Sequence, residues 1–191
     1  MRVLVGSHWG KLIVQYPKLS LILGGAASGK SNFAEKLVIQ TKLPRSYLAT
    51  AQALDDDMCK KIQLHQRDRG PGWATTEAPI ELPDAVLEQP ENNVILIDCL
   101  TLWLTNLMLA DRDCDKAAQA LFSAIKSRNA PVITVSNETG HSVIPATSLG
   151  RRFQRLQGRL NMRAAAEADL AIMIIAGLPQ ILKGKLPGHV Q

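Results

Sequence analysis

The chain has 191 residues, of which 46% are hydrophobic and 20% charged, with a net charge of +5 and a pI near 9.3. That is enough chain for one well-packed core, and one domain is expected. An aromatic share of 4% argues against a base-stacking platform, the longest apolar run (around Leu170 to Leu178) is about half a membrane span, and the basic residues follow no nucleic-acid module, so neither nucleic acid nor a membrane span is expected.

In chain order, residues 1–18 read as an N-terminal extension in which Val3, Leu4 and Val5 are apolar but isolated. Leu19 to Leu23 is a short apolar run ended by Gly24 and Gly25, as in a buried strand. Phe33, Ala34, Leu37 and Val38 then recur at helical spacing until Pro44. Ser46 to Thr50 is a second strand. Asp55 is placed to cap a helix with Met58, Ile62 and His65 on one face. Trp73 to Thr76 is extended, and Val94 to Ile97 is the clearest buried strand, ending at Asp98. A helix from about Lys116 to Arg128 leads into the strand Val132 to Ser136. Arg151 to Ala168 is a long helix, and Leu170 to Ala176 the last strand. Apolar strands alternating with helices predict an α/β fold, with a mostly parallel sheet covered on both faces. Residues 19–184 form the single domain on this reading, and 185–191 a C-terminal tail. Cys59, Cys99 and Cys114 have neither metal-ligand spacing nor a disulfide framework, so a cytoplasmic setting is expected.

Gly24, Gly25, Ala26, Ala27, Ser28, Gly29, Lys30 and Ser31 fit G-x-x-x-x-G-K-[ST] at every fixed position, between a predicted strand and a predicted helix. The glycines let backbone amides surround phosphate oxygens, and the helix N-terminus adds a favourable dipole. In this motif Lys30 reaches the β- and γ-phosphates and the Ser31 hydroxyl coordinates magnesium. Asp98 closes a strand; an aspartate there serves either as a helix cap or as a magnesium carboxylate.

If the segment around it is helical, Lys61, His65 and Arg69 stack at i, i+4 and i+8. Neighbouring cations disfavour the imidazolium, leaving His65 neutral and able to attack phosphorus. The alternative is a solvated histidine on a basic face, and spacing does not choose between them. His8 and His189 lie in the tails, His141 follows a turn, and Trp73 and Trp103 read as packing residues.

Taken together, several segments resemble the bifunctional adenosylcobinamide kinase and adenosylcobinamide-phosphate guanylyltransferase family of cobalamin synthesis. They are the phosphate loop, Tyr47 to Gln52, Asp55 to Met58, Ile62 to His65, Trp73 to Pro79, Ile97 to Leu107, Ser136 to Gly140, Val143 to Pro145, Gly158 to Asn161 and Ala176 to Pro179. The likeness runs in order over residues 19–183. It implies a RecA-like P-loop fold, and a kinase step from ATP or GTP onto adenosylcobinamide. It further implies attack by His65 on the α-phosphate of GTP, and transfer of GMP to give adenosylcobinamide-GDP. It carries catalytic roles onto His65 and Lys30. Nucleotide contacts carry over onto the loop (Gly24 to Ser31), Ala49, Thr50, Ala51, Gln66, Arg67, Asp68, Arg69, Glu77 and Asp98, with Ser31 and Asp98 holding Mg2+. Members assemble as homotrimers, so a homotrimer binding only small corrinoid and nucleotide substrates is implied.

The sequence departs from the family where Ala27 stands for a usual arginine. It departs again at Gln154-Arg155, at Met162, and at His141 and Ser142. The missing arginine favours one rival reading, a P-loop small-molecule kinase without guanylyl transfer; the other rival is a slow-turnover GTP-binding regulator, against which Ile62 to His65 and Asp98 to Leu107 argue.

Overall fold

In a computed structural model, residues 16–52, 64, 67 and 69–187 are described. The strands are β1 (Leu19–Gly24), β2 (Arg45–Ala49), β3 (Trp73–Glu77), β4 (Val94–Asp98), β5 (Val132–Asn137), β6 (Leu170–Ile175) and β7 (Leu178–Lys183). The helices are α1 (Lys30–Gln40), α2 (Leu82–Glu88), α3 (Leu100–Leu109), α4 (Cys114–Ser127) and α5 (Ser148–Glu167).

All seven strands join one sheet in the order β3-β2-β4-β5-β1-β6-β7, and every pair is parallel except β6 with β7. Alternate residues face opposite sides. On one side Leu21, Leu23, Ile95 and Ile97 pack against Leu82, Leu100, Trp103, Phe122 and Leu160, from α2 to α5. On the other, Ile22, Leu96, Ile133 and Val135 meet Ala34, Leu37 and Val38 of α1. Burial on both faces is why these strands are continuous apolar runs. The expected fold is the one observed.

The six expected strands form, each within a residue or two of its expected ends. α4 starts at Cys114, earlier than expected, because the Asp113 carboxylate accepts from the Asp115 and Lys116 N–H groups at 3.1 and 3.0 Å. α5 starts at Ser148, where Thr147 caps the Gly150 N–H at 3.1 Å.

Three elements were not anticipated. α2 is only seven residues long and has Pro83 in its first turn. α3 is apolar nearly all round, so it shows no helical period; six of its ten residues are buried. β7 is exposed along its whole length and follows a turn in which Ala176 and Gly177 both have positive φ. The helix expected from Asp55 falls mostly outside the described residues, although Leu64, Arg67 and Arg69 are helical. Residues 1–15, with His8, and His189 lie outside them too.

One buried cation ties the frame. Arg128, 4% exposed, donates to the carbonyls of Val86, Gln89, Pro90 and Asn93 at 2.6 to 3.3 Å. It clamps the end of α4 to α2 and to the connection between α2 and β4, and burial lowers its pKa.

Candidate active site

In open parallel sheets, ligands bind beyond the carboxyl ends of the strands. β1 ends there at Gly24, paired with Asn137 of β5, and the Gly24 carbonyl accepts from the Glu138 N–H at 3.1 Å. A Cβ at Gly24 would collide with Ser28 Oγ and would lie 2.8 Å from the Ile174 carbonyl, so the position requires glycine. Gly25 O accepts from Ser28 N–H at 3.3 Å, and Phe33 N–H donates to Gly29 O at 3.0 Å to begin α1. Ala27 and Gly29 adopt positive φ, 55° and 91°, which turns the chain inward. No acidic side chain occupies the first turn of α1, so the dipole and free amides of its N-terminus stand unneutralised for an anion. The Lys30 ammonium folds back onto Gly25 O at 3.1 Å. Ser28 Oγ is buried with no partner among the described residues.

Asp98 ends β4, with β5 intervening between it and β1. At ordinary strand spacing the two strands lie roughly 10 Å apart. Asp98 shares the α1 side of the sheet with Val94 and Leu96, the same side as the Lys30–Ser31 end of α1. Its Oδ2 accepts from Tyr47 OH at 2.8 Å. Burial first, and then the Asp98 charge, push the Tyr47 phenol far above its ordinary pKa, so it remains a donor at working pH. The adjacent Cys99 thiol is pushed up to about 11, by burial and then by Asp98.

One carboxylate and one hydroxyl, completed by phosphate oxygens and water, is the donor set that suits magnesium. The oxygen chemistry of Asp98 and Ser31 fits that ion. Among the described residues no three His, Cys, Asp or Glu side chains gather into a protein-only cage.

Thr50 is buried; its hydroxyl accepts from Cys99 N–H and donates to Cys99 O, both at 2.8 Å. Asn106 Nδ2 of α3 holds the Thr50 and Pro79 carbonyls at 2.8 and 3.0 Å. Ala49 and Glu77 stand level with Asp98 on β2 and β3. Ala51 follows β2 and is half-buried, and Arg67 is exposed. Arg69 stacks on the Tyr47 ring at 3.5 Å. His65, Gln66 and Asp68 lie outside the described residues.

The described residues expected at the site therefore fall into two groups along one edge: the loop with Asp98, and a flank of Ala49, Arg69 and Glu77. Glu77 is four strand spacings from β1, roughly 19 Å. In sequence, His65 lies between β2 and β3.

A buried polar network under the site escaped the reading of the sequence. Ser136 Oγ donates to Asn161 Oδ1 at 2.7 Å, Gln157 Nε2 reaches both, and Asn161 Nδ2 holds Asn137 O at 2.9 Å. Thr101 Oγ1 accepts from Asn137 N–H at 2.8 Å. The signal was there in polar residues at core spacing on β5 and α5, but its partners are far apart in sequence.

Residues 20–182 match the model of the family described as cobinamide kinase / cobinamide phosphate guanyltransferase. The chain belongs to that family. Among its relatives, the bifunctional adenosylcobalamin biosynthesis protein CobP of Pseudomonas aeruginosa is 42% identical over 168 residues, 86% of this chain and 97% of the relative. The CobU protein of Salmonella typhimurium is 34% identical over 174 residues, 83% of this chain and 96% of the relative. In fold, the chain is similar to the flagellar accessory protein FlaH of Methanocaldococcus jannaschii, with a TM-score of 0.52 at 16% identity, over 91% of this chain and 81% of that one. Among the described residues no helix is long and apolar enough to cross a membrane.

The positions expected to depart from the family pattern have visible surroundings. Ala27 is exposed on the loop, and Met162 is 74% exposed. Gln154 Nε2 donates to Thr139 O at 2.9 Å and to Ser142 Oγ at 3.4 Å, tying α5 to the loop after β5.

Proposed function

We propose that this chain is a working two-step enzyme: it phosphorylates the aminopropanol hydroxyl of adenosylcobinamide with ATP or GTP, then converts the product to adenosylcobinamide-GDP. The observation that supports this reading is the phosphate loop after β1 and the Asp98 carboxylate at the end of β4, both at the carboxyl edge of one sheet, in a chain of this family. In the kinase step the alcohol oxygen bonds to the γ-phosphorus and the β–γ bridging bond breaks. The electron pair leaves with the nucleoside diphosphate and the hydroxyl proton passes to solvent. Lys30 moves from Gly25 O to the phosphates, and the loop amides hold their charge. Ser31 and Asp98 would hold magnesium, which supplies charge neutralisation when bound.

In the second step a nitrogen of His65 bonds to the α-phosphorus of GTP and the α–β bridging bond breaks, releasing pyrophosphate. A phosphate oxygen of the corrinoid then takes the GMP, and the imidazole is regenerated. Ala49 to Ala51, Gln66 to Arg69 and Glu77 hold the nucleotide for this step. Residues 19–184 are the catalytic domain, 1–18 an extension and 185–191 a tail, and the enzyme works as a cytoplasmic homotrimer.

The test is trapping with GTP labelled at the α-phosphate. The expected result is acid-labile, base-stable label on wild-type protein, lost in His65→Ala while kinase activity persists. Undiminished label in His65→Ala removes the histidine step, and unlabelled wild type with an active kinase leaves a kinase alone.

A further inference from the structure

Tyr47 lies in mid-β2 on the same side of the sheet as Ala49, and its side chain is 7% exposed. An aromatic residue so placed needs no partner beyond the core. This one has two, and each belongs to a different group of site residues.

Its hydroxyl donates to Asp98 Oδ2 at 2.8 Å. A carboxylate at a strand end can turn about two side-chain torsions; a phenolic O–H on one oxygen restrains those torsions and leaves the other oxygen outside that bond. Its ring face carries the Arg69 guanidinium at 3.5 Å, while the Trp73 ring meets it edge-on at 6.0 Å and 89°. Arg69 Nη2 donates to Thr75 Oγ1 at 3.1 Å, and Arg69 Nε is buried with no partner among the described residues. The guanidinium is therefore oriented by the Tyr47 ring closest to it, by the Trp73 ring further off at 5.6 Å and by the Thr75 hydroxyl.

We infer that Tyr47 is a positioning residue shared by the two halves of the site, setting the Asp98 carboxylate through its hydroxyl and the Arg69 guanidinium through its ring. The inference rests on the proposed roles of Asp98 and Arg69. Because the two contacts use different parts of one side chain, they separate by substitution.

Tyr47→Phe removes the hydroxyl and keeps the ring. It should raise the Mg2+ concentration for half-maximal kinase rate about tenfold, as expected for losing a hydrogen bond to a charged group. Saturating Mg2+ should restore most of the rate, and GTP affinity measured with the metal chelated should stay within about twofold of wild type. Tyr47→Leu removes both contacts, and should in addition weaken metal-free GTP binding about fivefold, the scale of a partly desolvated cation–π contact. That extra loss should vanish on an Arg69→Ala background, and the Tyr47→Phe effect should vanish on Asp98→Asn. A merely structural tyrosine would give additive losses and no change in Mg2+ demand.

Unchanged Mg2+ demand in a folded, active Tyr47→Phe protein overturns the Asp98 half. Equal GTP affinity in Tyr47→Phe and Tyr47→Leu overturns the Arg69 half. A wild type that binds GTP yet neither phosphorylates the corrinoid nor takes up GMP overturns the functional reading instead. Matching thermal midpoints for wild type and Tyr47→Phe confirm that the comparison is between folded proteins.

Discussion

The carbonyl of Ser28, inside the phosphate loop, accepts a hydrogen bond from the N–H of Gly177 at 3.0 Å. Gly177 is in the turn between β6 and β7, so that hairpin, with β6 largely buried and β7 exposed, braces the loop from a distance of 149 residues along the chain (177 minus 28). The hairpin belongs to the phosphate site as a support.

Gly177 has φ of 80° and open space where a Cβ would sit. Gly177→Ala should therefore cost about 1 kcal/mol through backbone strain alone. Because the strain falls on the brace, nucleotide affinity should fall several-fold as well. Thermal melts with and without GTP, and titration calorimetry, read both effects.

Ala27 holds a positive φ of 55° on an exposed loop position. Ala27→Gly should stabilise the ligand-free protein by roughly 0.5–1 kcal/mol, because glycine adopts that conformation without a Cβ penalty. Ala27→Arg adds a cation to the loop and should strengthen triphosphate binding by about threefold to tenfold, with the gain shrinking as salt rises. An affinity gain that ignores salt would show that its source is not charge.

Arg128 satisfies four backbone carbonyls from a buried position. Arg128→Met leaves them without that donor and should destabilise the fold by about 3 kcal/mol or more by chemical denaturation. Arg128→Lys should recover little, since one ammonium cannot reproduce the planar fork. Nucleotide affinity of the folded fraction should not change.

Asp113 is exposed, and its pKa is lowered first by the Lys116 N–H it accepts at the start of α4. A carboxyl whose folded pKa is depressed stabilises above its unfolded value, about 3.9, and loses that contribution as pH falls through the folded value. Asp113→Ala should thus lower the melting temperature at pH 7, and the gap to wild type should close below about pH 4.

Local rules made much of this protein legible. Gly24 to Ser31 carries its chemistry in its own spacing, and the buried strands announce themselves as apolar runs because both faces of the sheet are covered. α3 was hidden for the opposite reason: a helix buried on most sides has no polar face to give it a period. β7 was hidden because an exposed antiparallel edge has no apolar run at all.

By itself, then, the sequence determined the phosphate loop, the parallel α/β architecture and the family, since each rests on contiguous residues or short-range periodicity. Tertiary structure alone decided that β5 separates Asp98 from the loop, that Gly177 supports Ser28, and that Tyr47 touches both Asp98 and Arg69. Those contacts depend on strand order and on which face each side chain takes, and no local pattern encodes either: sheet pairing is settled by burial summed over the whole core.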